Sequence, residues 1–286
     1  MNLEQLMEWN EEWNKNMGAD RSGDRVRSFL RAFVPEEEGE SEALWREARE
    51  AGVPVIRQEM KELMRVLLLL KRPARILEIG TAVGYSALFM RECLMHSAAP
   101  GRKDGGRAAA SYTENGKPAS DSSDRESGKQ AASPERESFR IDTIEKDEER
   151  FARAAENFRK AAAGEIHGYC GDAAEVIKKL EGPYDFVFMD AAKAQYGVYL
   201  DRLEGKLSDH AVIVTDNILQ EGAMAESRYI SDKRDRTIHD RMREYLFRIN
   251  RPPFRTVLLD SGDGAAVTVL CDAALKSGNV FTAVNE

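Results

Sequence analysis

The chain has 286 residues, 42% of them hydrophobic, enough for one sizeable core with decorations, and no apolar stretch approaches the roughly 20 residues that span a bilayer. Its formal net charge of −8 repels phosphates on average, which weighs against a general polyanion binder. The three cysteines, Cys93, Cys170 and Cys271, are odd in number and lack metal-ligand spacing, so neither a disulfide framework nor a zinc site is expected and a reducing cytoplasm is the natural setting.

The first residues, MNLEQLMEWNEEWNKN, carry acids where a secretory signal has a basic region and an apolar run, so no signal peptide is expected. Residues 1–52 read as an amphipathic helical appendage, with Phe29, Leu30 and Phe33 among its apolar positions, suited to packing or dimerisation. A larger domain is expected over 53–286. It opens with a helical run from Arg57 that closes at Pro73, followed by RILEIG, a short buried strand ending in glycine. SALFMRECLM then reads as a helix.

From Ser97 to Ser138 large apolar residues nearly vanish, and seven basic residues balance seven acidic ones. So little can be buried there that ordering entropy goes uncompensated, which predicts a disordered surface insertion over 97–138. Order resumes with strands in FRIDTIEKD, EIHGYCGD, YDFVFMD and HAVIVTDN, separated by helical stretches. Strand–helix alternation predicts an α/β fold with a mostly parallel sheet and helices on both faces. A helix is expected from about Thr237 to Asn250, then FRTVLLD and AAVTVLC as an antiparallel hairpin around SGDG.

Chemistry concentrates at the carboxyl ends of these strands. The first strand and its turn read Glu78-Ile79-Gly80-Thr81-Ala82-Val83-Gly84-Tyr85-Ser86, with glycines where a backbone passes close to a ligand at a helix N-terminus. The spacing is G-x-x-x-G and not the G-x-G-x-x-G of dinucleotide sites, and the nearby carboxylate suits a cationic ligand better than a diphosphate. Glu145, closing the second strand, suits two hydrogen bonds from a ribose diol, or is a solvated strand-end charge. Asp172 and Ala173 follow the third strand, where they can meet an adenine ring, or where Asp172 simply caps a helix.

Two later strands end in Asp190 and in Asp216-Asn217. Two carboxylates and an amide at one sheet edge suit a hard divalent cation such as Mg²⁺. Lys193 lies three residues past Asp190; beside a dication a lysine gives up its proton more readily and can act as a general base, although an ordinary exposed lysine fits as well.

Taken in order, ILEIGTAVGYSA, TIEKD, GDA, FMDAAK and VTDN resemble the cation-dependent O-methyltransferases that include catechol and caffeoyl-CoA enzymes. The resemblance runs from about Val53 to Leu270, without the insertion. It implies a Rossmann-like class I methyltransferase fold, doubly wound, with the late antiparallel hairpin. It implies S-adenosylmethionine contacts at Ile56, Glu78, Gly80, Ser86, Glu145, Asp172, Ala173 and Asp190, and a metal on Asp190, Asp216 and Asn217. Lys193, with Asp190, would be catalytic, and the chain would be a cytoplasmic homodimer. Ala192 departs from plant-type relatives, which often carry a second acid there.

Within the family, KRDRTIHDRMREYL and SGDGAAVTVL resemble the bacterial branch that methylates 5-hydroxyuridine at the tRNA wobble position, making the tRNA anticodon loop the expected partner. Residues 225–256 hold nine Arg or Lys against five acids, and Arg234, Arg241 and Arg248 recur every seven residues, a pattern that suits phosphate tracking or a solvated helix face. A catechol or caffeoyl-CoA-type small-molecule enzyme shares every proposed catalytic residue. A nicotinamide oxidoreductase is disfavoured by the glycine spacing, and a non-catalytic RNA-binding protein by the intact acid set.

Overall fold

The order of acids and glycines matters only through the sheet that carries them. In the computed structural model, the described residues are 29–30, 32–34, 40–50, 52–53, 55–97, 138–219, 233–260 and 262–271. The expected insertion lies outside them except for Ser97 and Ser138, as do the first 28 residues. The chain divides into two units, 1–43 and 44–286. In the first, Phe29 and Phe33 meet edge to face, ring centroids 5.0 Å apart.

Helix α1 covers Glu40–Glu50 and α2 covers Gln58–Lys71. Strand β1 (Arg75–Ile79) leads into α3 (Tyr85–Ser97), β2 (Arg140–Glu145) into α4 (Glu148–Lys160), and β3 (Ile166–Cys170) into α5 (Ala173–Lys179). Then come β4 (Tyr184–Met189), a 3₁₀ turn at Lys193–Gln195, α6 (Tyr196–Arg202) and β5 (Leu207–Asp216). Helix α7 (Lys233–Ile249) begins a turn earlier than the apolar periodicity indicates, and β6 (Phe254–Leu259) and β7 (Ala265–Leu270) complete the sheet.

The seven strands run in the order β3-β2-β1-β4-β5-β7-β6. The first five are parallel, while β7 pairs antiparallel with both β5 and β6. This is the class I methyltransferase fold. Parallel strands covered on both faces read as continuous apolar runs, and β1 and β4 are buried along nearly their whole length. Met60, Met64 and Leu68 of α2 pack with Phe89 and Met90 of α3 and Phe158 of α4 in one core. Ile177 of α5, Tyr199 and Leu200 of α6, and Met242, Tyr245 and Ile249 of α7 pack in the other.

The chain winds outward through β2 and β3, then returns to continue on the other side of β1 with β4. That reversal opens a crevice at the carboxyl ends of β1 and β4, where open α/β sheets place their ligands. Among the described residues no helix is long and apolar enough to cross a membrane.

A buried acid ties the first strands of the sheet together. Asp142 of β2, with no exposed surface, accepts from Arg140 Nε at 2.8 Å, Tyr184 Oη at 2.9 Å, and Arg75 and Tyr169 at 3.3 Å each. The strands align so that Arg75 of β1 faces Arg140 of β2, and the acid two residues along answers both cations.

Candidate active site

The turn after β1 is built against β4. Gly80 has φ +106°, and a Cβ there would lie 2.0 Å from the Asp190 carbonyl oxygen, so only glycine lets the turn meet the end of β4. Gly84, at φ +87°, leaves room for the Phe158 ring, which a Cβ would approach to 2.6 Å. Ala82 adopts the left-handed region at φ +47°, and its N–H donates to Glu145 Oε2 at 2.8 Å. Strain in the turn is thus held by the acid that closes the next strand.

Glu78 lies wholly buried beneath this turn. The hydroxyls of Ser86 and Thr143 each donate to one of its carboxylate oxygens. Burial raises its pKa to about 7, opposed by those two hydrogen bonds and helped by the charges of Asp190 and Glu145. A cation in the crevice would favour its ionised form.

Glu145 is nearly buried. Besides Ala82, it accepts from the N–H groups of Lys146 and Asp147, both at 2.9 Å. Asp172 accepts from Ala174 N–H at 3.0 Å as the cap of α5 and meets Lys146 Nζ at 3.1 Å; the Lys146 hydrogen bond holds its pKa below the ordinary aspartate value. Both acids stand at adjacent strand ends, since Glu145 pairs in register with Cys170, two residues ahead of Asp172. Ile56 is buried in the core with Met60, and its carbonyl accepts from Trp45 Nε1 at 3.0 Å.

Asp190 and Asp216 close β4 and β5, which pair Met189 with Thr215. Burial raises both pKa values. Asp216 reaches about 7, pushed by burial first and by the Asp190 charge second, and opposed by the Asn217 N–H and by Arg57. For Asp190, among the described residues, only the Lys193 ammonium opposes burial. Asn217 sits at φ +56°, a left-handed position asparagine tolerates, and its N–H donates to Asp216 Oδ1 at 2.7 Å.

Lys193 opens the 3₁₀ turn, and its Nζ lies 3.5 Å from Asp263 Oδ2. Asp263 is buried and comes from the β6–β7 turn. Because β7 runs antiparallel beside β5, Ala265 pairs with Asp216, and the residues just before it arrive at the acid pair. Leu219 N–H donates to the Asp263 carbonyl at 2.9 Å, and Gly264 is packed so tightly that a Cβ would lie 2.4 Å from Leu219. Arg57 reaches the same turn, its Cδ 3.1 Å from where a Gly262 Cβ would stand.

Of the expected residues, Glu78, Gly80, Ser86 and Glu145 stand around the glycine turn and Asp190, Asp216, Asn217 and Lys193 at the next strand ends, while Asp172 and Ala173 start the helix after β3 and Ile56 lies in the core ahead of α2. Asp263, Thr143 and Arg57 join them without having been singled out from the sequence. Arg248 is drawn inward to the Gly197 carbonyl at 3.3 Å and to Asp201, and Arg241 reaches the Ala194 carbonyl at 3.4 Å; the side chain of Arg234 lies outside the described residues.

Residues 131–270 match the sequence model of the O-methyltransferase family, which takes in β2 to β7 and leaves out β1 and its turn. Among solved structures, the SAH-bound Podospora anserina methyltransferase PaMTH1 shares 20% identity, with a TM-score of 0.65 over 90% of this chain and 100% of that one. The SAM-bound O-methyltransferase TomG of Streptomyces achromogenes, involved in tomaymycin synthesis, shares 18%, with 0.63 over 90% and 100%. The SAH-bound O-methyltransferase of Bacillus cereus shares 18%, with 0.61 over 86% and 97%. These three likenesses bear on the fold. Over residues 131–270 the chain is thus similar to the O-methyltransferase family, and its strand order is that of the class I methyltransferase fold.

Proposed function

We propose that the chain moves the methyl group of S-adenosylmethionine onto the 5-hydroxyl of 5-hydroxyuridine at the tRNA wobble position, giving 5-methoxyuridine. The observation that carries the transfer reading is the Asp190–Asp216 pair, Asp216 buried and Asp190 partly so, its charges opposed by Lys193 and Arg57, beside the glycine turn. The sulfonium cofactor would lie along Gly80 to Ser86, with Glu78 beneath it and Glu145 toward its ribose. Asp172 and Ala173 would border the adenine, and Ile56 would flank it from ahead of α2.

The donor set fits a hard divalent cation. Asp190, Asp216 and Asn217 offer oxygen donors, and two like charges buried together favour a dication between them. Among the described residues no group of three or more His, Cys, Asp or Glu side chains is gathered to hold a metal, and the proposed set is two carboxylates with the Asn217 amide. Bound there, Mg²⁺ would acidify and orient a chelated hydroxyl. The 5-hydroxyl and 4-carbonyl of the base form such a chelating pair.

The acceptor oxygen attacks the methyl carbon in line, the S–C bond breaks with its electron pair returning to sulfur, and a thioether leaves. The hydroxyl proton passes to the Lys193 amine at Nζ, and Asp263, 3.5 Å away, stabilises the ammonium that results. No methylated enzyme is formed, and the residues act by holding two reactants in line.

Support for tRNA comes from the basic run over 225–256, of which Arg236 and Arg243 are exposed on α7. A small-molecule acceptor is the second reading, favoured by the net charge of −8 and by the inward turn of Arg248. Labelled S-adenosylmethionine offered with tRNA carrying 5-hydroxyuridine, and in parallel with a catechol, separates them. Label in the tRNA alone supports the wobble-base reading; label in the catechol alone overturns it in favour of the small-molecule branch.

Roles within the site separate by two substitutions. Lys193→Ala should slow transfer roughly 10²- to 10⁴-fold while leaving cofactor affinity unchanged. Glu145→Ala should weaken S-adenosylmethionine binding roughly 10- to 100-fold, through lost charge-assisted hydrogen bonds and a loosened Ala82 turn. Equal loss of cofactor affinity in both, measured by calorimetry, would contradict the division.

A further inference from the structure

Tyr196 takes no part in the chemistry proposed above, yet its hydroxyl is placed between the two candidate metal strands. It opens α6 and is wholly buried. The hydroxyl donates toward the Asp216 carbonyl at 3.3 Å and the Ala191 carbonyl at 3.5 Å. Asp216 ends β5, and Ala191 directly follows Asp190 at the end of β4. One proton shared between two acceptors makes each bond weak, but it gives the two carbonyls one common donor at the ends of β4 and β5.

The ring has little freedom to move. It packs edge to face on Tyr245 of α7, centroids 5.6 Å apart at 72°. Tyr245 is fixed in turn by its hydroxyl, 2.6 Å from Thr215 Oγ1, on the residue just before Asp216. A phenylalanine would fill the same space, so the apolar packing alone does not call for the Tyr196 hydroxyl; a buried polar group is tolerated only with partners, and its partners here are these two carbonyls.

We propose that Tyr196 is a positioning residue whose hydroxyl ties Ala191 to Asp216 and so sets the spacing of the Asp190 and Asp216 carboxylates for a divalent cation. This rests on the metal reading given above. An outer partner of this kind tunes affinity for the ion without touching it.

Tyr196→Phe removes the hydroxyl and keeps the ring. Mn²⁺ titrated into the full chain and followed by electron paramagnetic resonance should bind the variant roughly 10-fold or more weakly than wild type, with S-adenosylmethionine affinity unchanged. Tyr245→Phe removes the neighbouring hydroxyl of the same stack and leaves the Ala191–Asp216 bridge, so it should lower the melting temperature and leave Mn²⁺ affinity as it was. If Tyr196→Phe binds Mn²⁺ as wild type does, or if Tyr245→Phe loses as much, Tyr196 serves packing only and the proposal is overturned. A wild-type chain that binds no Mn²⁺ overturns the metal reading itself, and the role of Tyr196 with it.

Discussion

Asp216→Asn should make the chelator-treated chain more stable at pH 8 and its methyl transfer roughly 100-fold slower or worse. The carboxylate is buried beside Asp190, and its pKa rises from 3.8 to about 7. A carboxyl group raised in the folded state binds its proton more tightly there than in the unfolded chain. Its stabilising contribution is therefore complete below pH 3.8 and is lost as the pH climbs through about 7. At about 1.4 kcal/mol per pKa unit, a rise from 3.8 to about 7 amounts to something on the order of 4 kcal/mol.

Asparagine escapes that loss because it carries no charge to bury. Melts recorded with chelator should show the variant gaining on wild type as the pH rises from about 4 to 8, and standing ahead of it at pH 8. The same change removes a charged oxygen donor from the proposed cation and slows the reaction. A variant less stable than wild type at pH 8 would mean that the pair is compensated by groups other than Lys193 and Arg57.

Asp142→Asn should cost about 3 kcal/mol of stability, at the low end for breaking a buried ion pair because both guanidinium partners are partly exposed. Arg75 and Arg140 keep 31% and 41% of their side-chain surface, so water answers part of the lost charge. The Tyr184 hydroxyl, on a wholly buried residue, has no such recourse. In a chain of this size the loss should lower the melting temperature by roughly 6–12 °C. Asp142 stands away from the carboxyl edge, so S-adenosylmethionine affinity below the melt should not change. A shift of less than about 2 °C would assign the stability of this region to apolar packing alone.

Why these two acids differ in legibility is a matter of range. Asp190 and Asp216 each end an apolar run, so their place at a sheet edge follows from local pattern alone, as does that of Glu145. Asp142 lies inside such a run, where an acid reads as a polar interruption. Its partner Arg140 lies two residues back and therefore on the same face, but Arg75 and Tyr184 reach it only through strand pairing.

Asp263 was hidden for the same reason. SGDG reads as a hairpin turn, and its nearness to Lys193 depends on β7 lying antiparallel between β5 and β6. Tyr196 reads as an aromatic core position, which it also is. Arg248 reads as one of a seven-residue cationic series, yet helix packing against α6 brings it to Asp201 and the Gly197 carbonyl. Each of these depends on which elements become neighbours, and residue types in a local window do not encode that.

Transfer of labelled methyl from S-adenosylmethionine to an acceptor, measured in wild type and Asp190→Asn before chelation, after it, and after Mg²⁺ is restored, tests the metal-assisted centre most directly. Wild type should lose activity on chelation and regain it with Mg²⁺, while Asp190→Asn stays inactive throughout. Full wild-type activity in the presence of chelator would contradict a metal at Asp190 and Asp216, and would leave Lys193 and Asp263 to activate the acceptor alone.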